Sequence, residues 1–159
     1  MSVRSAIDLI LERFLAALLA VLVLDVLWQV ISRYVMSSPS SFTDELAGFL
    51  LIWVGLFGAA YVASKNEHLA IDILVQRASP VARRRFEWFI TICIVFFSIF
   101  VLVIGGIWLV YTRFDLGVKS AALQLPLGYV YIVLPISGAL IIYFSIDNLI
   151  RFIKGHKAE

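Results

Sequence analysis

The sequence holds one cysteine, Cys93, and two histidines, His68 and His156, among its 159 residues. A lone cysteine forms no intrachain disulfide and no thiolate metal cluster, so it says nothing about redox compartment. Membrane haem b proteins need paired histidines at depth, and neither histidine lies inside an apolar run. A GxxxxGK phosphate loop and an HExxH pair are both missing, which leaves a P-loop ATPase or a zinc protease without support. Charge is scarce as well: 15% of residues carry it, and the net value of +2 is too small and too dispersed for nucleic-acid binding. No catalytic constellation remains, so the chain is expected to be no enzyme and to hold no cofactor or metal.

What is abundant is apolar surface. At 62% hydrophobic residues there is too little polar surface to cover a soluble globule, and the class is an integral membrane protein. Residues 46–64 form an uncharged run closed by Asp44 and Glu45 on one side and Lys65, Asn66, Glu67 and His68 on the other. A helix of that length reaches about 27 Å, close to the hydrocarbon thickness of a bilayer. Similar runs at 14–31, 88–111 and 129–146 predict four transmembrane helices, the first continuing a helix from near Ser5. The first run is longer than a signal-peptide core and lacks a small-x-small cleavage pattern, so it reads as a retained span. Residues 68–79 place Ile71, Leu74, Val75 and Ala78 on one helical face and Asp72, Gln76 and Ser79 on another, as an interfacial helix does. Thr43 or Asp44 is the expected N-cap of span 2, Pro80 the end of the interfacial helix, and Pro135 a kink in span 4. No internal repeat is evident, and residues 1–159 are expected to form one all-α membrane domain, a small helical bundle.

Orientation follows from the basic residues. With the N-terminus cytoplasmic, that side holds Arg4, Arg13, Lys65, Arg77, Arg83, Arg84, Arg85, Arg151, Lys154 and Lys157, against Arg33, Arg113 and Lys119 outside. The bias predicts both termini in the cytoplasm. Trp28 and Trp108 then sit near the outer interface and Trp88 near the inner one.

Few residues stand out as carriers of function. Asp25 is a carboxylate within a span, where such groups are costly and often functional; a proton or cation site competes with helix packing or subunit contact. Arg33, Asp44 and Glu45 cluster at the outer ends of spans 1 and 2, where they either staple the hairpin or meet an extracytoplasmic partner. Gly55, Ala59 and Ala63, four apart on one face of span 2, let another helix approach closely, with Gly48 and Trp53 added to that packing surface. Lys65, His68, Asp72, Arg83, Arg84 and Arg85 mark the inner interface, with His68 and Asp72 spaced to interact if helical.

Three stretches together carry a family likeness: WQVISRYV at 28–35, SFTDELAGFLLIWVGLFGAAYVASKNEHLAID at 41–72 and LQLPLGYVYIVLPISGAL at 123–140. Their order and spacing resemble the small membrane subunit, or Q subunit, of tripartite ATP-independent periplasmic (TRAP) transporters over nearly the whole chain. The resemblance implies a multi-pass protein of the bacterial inner membrane without a transport site of its own. It implies two protein partners: a large membrane subunit (M subunit) that carries sodium coupling and solute, and a periplasmic binding protein that delivers a carboxylate. The small subunit would brace the scaffold of the large one. A four-span homodimeric cation or drug exporter using Asp25 as coupling carboxylate is the competing reading.

Overall fold

The computed structural model describes residues 3–38, 40–65 and 80–155, and of residues 3, 80–84 and 152–155 it describes the backbone alone. Among them are four helices long and apolar enough to cross a membrane. The first, α1, is unbroken over Val3–Tyr34, a stretch without glycine or proline, and it stops where Ser37 takes a left-handed φ of 51°. The second, α2, spans Ser41–Lys65. Its entry corrects the expected cap: Ser40 is the capping residue, accepting the Thr43 N–H on Oγ at 3.5 Å while its carbonyl accepts the Thr43 hydroxyl at 3.0 Å. Thr43 and Asp44 therefore lie inside the first turn, one buried and one exposed.

The third span's helix opens at Pro80, as proline at a first helical position does. It runs as α3 (Pro80–Phe97), widens into a π-helical stretch over Ser98–Gly105, and returns to α-helix in α4 (Gly106–Asp115). The fourth span is interrupted: α5 (Leu127–Tyr131) is separated from α6 (Val133–Gly155) at Ile132, three residues before Pro135. The expected interfacial helix at 68–79 lies outside the described residues.

The expected small helical bundle is laid out as a row. Strong contacts run from α1 to α2, from α2 to α6, and from α6 to the third span. The fourth span is thus interior, with 39% of its apolar window buried against 11% for α1. Leu11 and Leu15 of α1, Phe57, Ala60 and Ala63 of α2, Leu102 of the third span, and Val133, Ile141 and Phe144 of α6 form the core. From position 8 onward the buried and half-buried positions of α1 fall at 8, 11, 15, 18, 22, 25, 29 and 32, the alternating three-four spacing of a coiled-coil seam. The rest of its circumference is exposed.

Two glycines bring the helices of the third and fourth spans close together. A Cβ on Gly138 would lie 2.7 Å from Leu102 Cβ and 3.3 Å from the Ser98 carbonyl, and one on Gly106 would lie 2.9 Å from Pro135 Cδ. Small residues are the usual means of such approach within a bilayer, where apolar burial alone gives helices no preference for each other over lipid.

Candidate functional site

The chain's polar groups gather at the two ends of the row, and each end is wired across several helices. At the end that holds the α1–α2 link, Arg33 of α1 pairs with Asp44 of α2 at 3.5 Å, both side chains half exposed. Glu45 does something different. Its carboxylate accepts three successive backbone N–H groups from the link between the third and fourth spans: Ala121 at 2.9 Å on one oxygen, Ala122 at 2.8 Å and Leu123 at 2.7 Å on the other. That link is a folded loop. The Ser120 N–H donates to Leu125 O at 2.9 Å, the Leu127 N–H to Val118 O at 3.0 Å, and the Ser120 hydroxyl accepts the Leu125 N–H at 3.2 Å. Gln124 sits at a left-handed φ of 54°, and its amide nitrogen donates back to Ala121 O at 3.0 Å.

Deeper in the row, the Trp53 indole N–H donates to the carbonyl of Val130 at 2.9 Å. This bond falls at the break in the fourth span, where the helical ladder is interrupted and backbone carbonyls need another donor; Pro135 lacks the N–H that would serve the neighbouring Tyr131 carbonyl. Phe14 and Phe57 pack beside Trp53, with ring centroids 6.5 Å and 5.9 Å from it, and fix the indole's orientation.

Arg4 organises the opposite end. Its guanidinium meets the Asp147 carboxylate, donates to Ser64 O at 2.6 Å and to Asn148 Oδ1 at 2.7 Å, while the Asn148 amide donates to Ala63 O at 2.8 Å. Arg151 donates to Asp147 at 2.8 Å. One cation thus joins the start of α1, the end of α2 and the last turns of α6, satisfying carbonyls that a helix end leaves open. Sequence reading counted Arg4 and Arg151 only as interfacial charges. The spacing Asp147-Asn148 before Arg151 was a legible helix-face signal for half of this node; the link to Arg4 had none.

The other sequence-selected residues divide cleanly. Ala63 is buried, whereas Gly48, Gly55 and Ala59 are exposed; Gly48 and Gly55 have nothing within 4 Å of a Cβ built on them. The small-residue face of α2 is therefore turned away from the chain's own helices over most of its length. Ala59 and Ala63 border an apolar groove of about 500 Å³ between α2 and the third span, floored by Ile141. Asp25 lies on the α1 seam, 9% exposed, and its Oδ2 has no hydrogen-bond partner among the described residues. Lys65 stands 5.0 Å over the Tyr61 ring. Arg85 is exposed at the start of α3, the side chains of Arg83 and Arg84 lie outside the described ones, and His68 and Asp72 lie outside the described residues altogether.

Comparison with known proteins agrees with the helical layout. Residues 22–155 match the family described as tripartite ATP-independent periplasmic transporters, DctQ component. A putative TRAP transporter small permease protein of Haemophilus influenzae is 30% identical over 145 residues, 90% of this chain and 87% of the relative. The C4-dicarboxylate TRAP transporter small permease protein DctQ of Rhodobacter capsulatus is 29% identical over 102 residues, 63% of this chain and 44% of the relative. The sialic acid TRAP transporter permease protein SiaT of Haemophilus influenzae is 33% identical over 98 residues, 61% of this chain and only 16% of that longer protein. Matched across its spans and nearly end to end with one small permease, the chain belongs to the DctQ family, as a TRAP transporter small permease subunit and a multi-pass protein of the inner membrane.

Proposed function

We propose that this subunit is a brace for the large membrane subunit of its transporter and carries no transport site itself. One observation supports this above others. Each end of the row is tied together within the chain, by Arg4 inside and by Glu45 outside, while broad apolar faces of α1, α2 and the third span stay uncovered. Such a layer is rigid at its ends and adhesive on its sides, which suits packing against another membrane protein. A subunit that moved a charged solute would need unspent polar groups along a path.

The uncovered small-residue face of α2, from Gly48 through Gly55 to Ala59, is the surface on which a helix of the large subunit would approach most closely. That the chain resembles 16% of one longer permease fits a role as a small part of a larger membrane assembly. On this reading both termini are cytoplasmic, Arg33, Asp44 and Glu45 face the periplasm, and Lys65, His68, Asp72 and Arg83 to Arg85 face the cytoplasm. Sodium coupling and the solute, a carboxylate by analogy with relatives named for C4-dicarboxylate and sialic acid, belong to the large subunit, supplied by a periplasmic binding protein. Asp25, tucked into the α1 seam, serves packing; its placement gives the exporter reading no open pathway.

Co-expression tests the assembly directly. The chain purified in mild detergent should bring the large membrane subunit with it at a fixed ratio. A stable homodimer that transports unaided would sink the proposal.

A further inference from the structure

We infer that Arg113, with Tyr131 beside it, binds the phosphate of a membrane phospholipid in the crevice where the third and fourth spans leave the bilayer. Depth is the first ground. Arg113 lies two residues beyond the apolar run that ends at Tyr111 and two before the end of α4. Trp108 and Tyr111, 70% and 67% exposed, mark the same level with the amphipathic rings that gather where headgroups meet acyl chains. The site therefore stands at a membrane boundary whichever end of the row faces the periplasm.

The side chain does not escape to water. A helical side chain leans toward the start of its helix, which for Arg113 is back toward the apolar layer. The guanidinium lies 5.9 Å over the ring of Tyr131, the last residue of α5, and the half-buried Leu109 and Val110 come one turn before it on α4. Its Nε is enclosed and has no hydrogen-bond partner among the described residues. The ring attracts the cation but supplies no counter-charge and accepts none of the fork's in-plane N–H donors. This corner holds a cation that still needs an anion.

The chain's own carboxylates leave it so. Asp115 is exposed, but two positions along a helix do not face each other, and it forms no ion pair with Arg113. Glu45 is taken up by the N–H groups of Ala121, Ala122 and Leu123. Lys119 is exposed on the loop above, so Arg113 and Lys119 are matched in number by Asp115 and Glu45. With the charges balanced, no net field gathers acidic lipid, and recognition falls to the guanidinium fork. A phosphodiester meets that fork with two oxygens at once, which makes it the matching anion. A zwitterionic phospholipid is sufficient. It also arrives already anchored at the depth of Arg113, with acyl chains to cover the apolar surface around the crevice. A carboxylate from a neighbouring protein would have to be carried into the apolar layer at a cost in desolvation.

Native mass spectrometry of the full chain in mild detergent, alone and with its large subunit, tests the site. The probes are phosphatidylethanolamine, diacylglycerol with the same acyl chains, and inorganic phosphate. The chain should retain phosphatidylethanolamine and shed diacylglycerol, which lacks the phosphate. Arg113→Gln should weaken that retention roughly tenfold, because the charge-assisted bonds of the fork are lost. Arg113→Lys keeps the charge without the fork and should fall between the two, whereas Lys119→Gln should change nothing. Diacylglycerol held as well as phosphatidylethanolamine, or undiminished retention in Arg113→Gln, would overturn the proposal. Where Arg113→Gln does not fold, Arg113→Lys decides alone, and retention equal to that of the unmodified chain overturns the site. Displacement of the lipid by inorganic phosphate at matched concentration would assign a free anion instead. Lipid held by the chain alone but excluded from the complex would assign Arg113 to a carboxylate of the large subunit, and either result contradicts the lipid site.

Discussion

At the residue scale, the chain uses backbone groups as partners for its few polar side chains. Trp53 is the clearest case. Its indole N–H reaches Val130 O at the break that Pro135 imposes on the fourth span. Trp53→Phe keeps the aromatic contact with Phe14 and Phe57 but leaves that carbonyl unpaired in an apolar layer. It is expected to destabilise the chain by about 1–3 kcal/mol, read as a lower midpoint of thermal unfolding in detergent. Arg33→Ala is the contrasting change: its partner Asp44 is half exposed, and the loss should stay under about 1 kcal/mol in the same assay. Arg4→Ala exceeds that loss. It removes one of the two cations on the half-buried Asp147 carboxylate, Arg151 remaining, and strands the Ser64 and Asn148 oxygens, and should cost about 1–3 kcal/mol. Of these partnerships only that of Arg33 with Asp44 could be read from sequence. A carboxylate bound to backbone N–H groups, as Glu45 is, or an indole bound to a backbone carbonyl, as Trp53 is, has no partner residue type to search for.

Among the elements, two helix faces built from small residues behave oppositely. Gly138 and Gly106 are filled against their neighbours, so Gly138→Ala should cost about 1–3 kcal/mol through overpacking against Leu102 and the Ser98 carbonyl. Gly55 has open space, and Gly55→Leu should leave the isolated chain's unfolding midpoint unchanged while lowering the yield of large subunit recovered with it. A drop in the isolated chain's midpoint would show that this face packs internally. The spacing of Gly55, Ala59 and Ala63 was visible in sequence, but the side it turns to was not: a span that is apolar all round carries no periodic signal of which face is covered. Length and hydropathy, by contrast, marked all four spans. The helices run past the apolar runs at both ends because polar residues continue a helix readily once outside the hydrocarbon. The π-helical stretch over Ser98–Gly105 had no sequence signature; it accompanies the close approach at Gly138, a tertiary event.

For the whole molecule, an open row with tied ends is a shape that makes sense beside another membrane protein. The same design explains why so little of the sequence looked functional. Its conspicuous intramembrane carboxylate, Asp25, is buried on a helix seam, and its other polar groups hold helix ends and one loop together. The central claim is therefore that this subunit supplies structure and no transport site, and Asp25 is where it is most exposed to refutation. The decisive measurement is solute uptake into proteoliposomes holding the large subunit together with Asp25→Asn small subunit. The account predicts a complex recovered in normal amounts and uptake close to that of the unmodified complex. Uptake abolished in a complex that still assembles normally would contradict it and would make Asp25 part of the transport path.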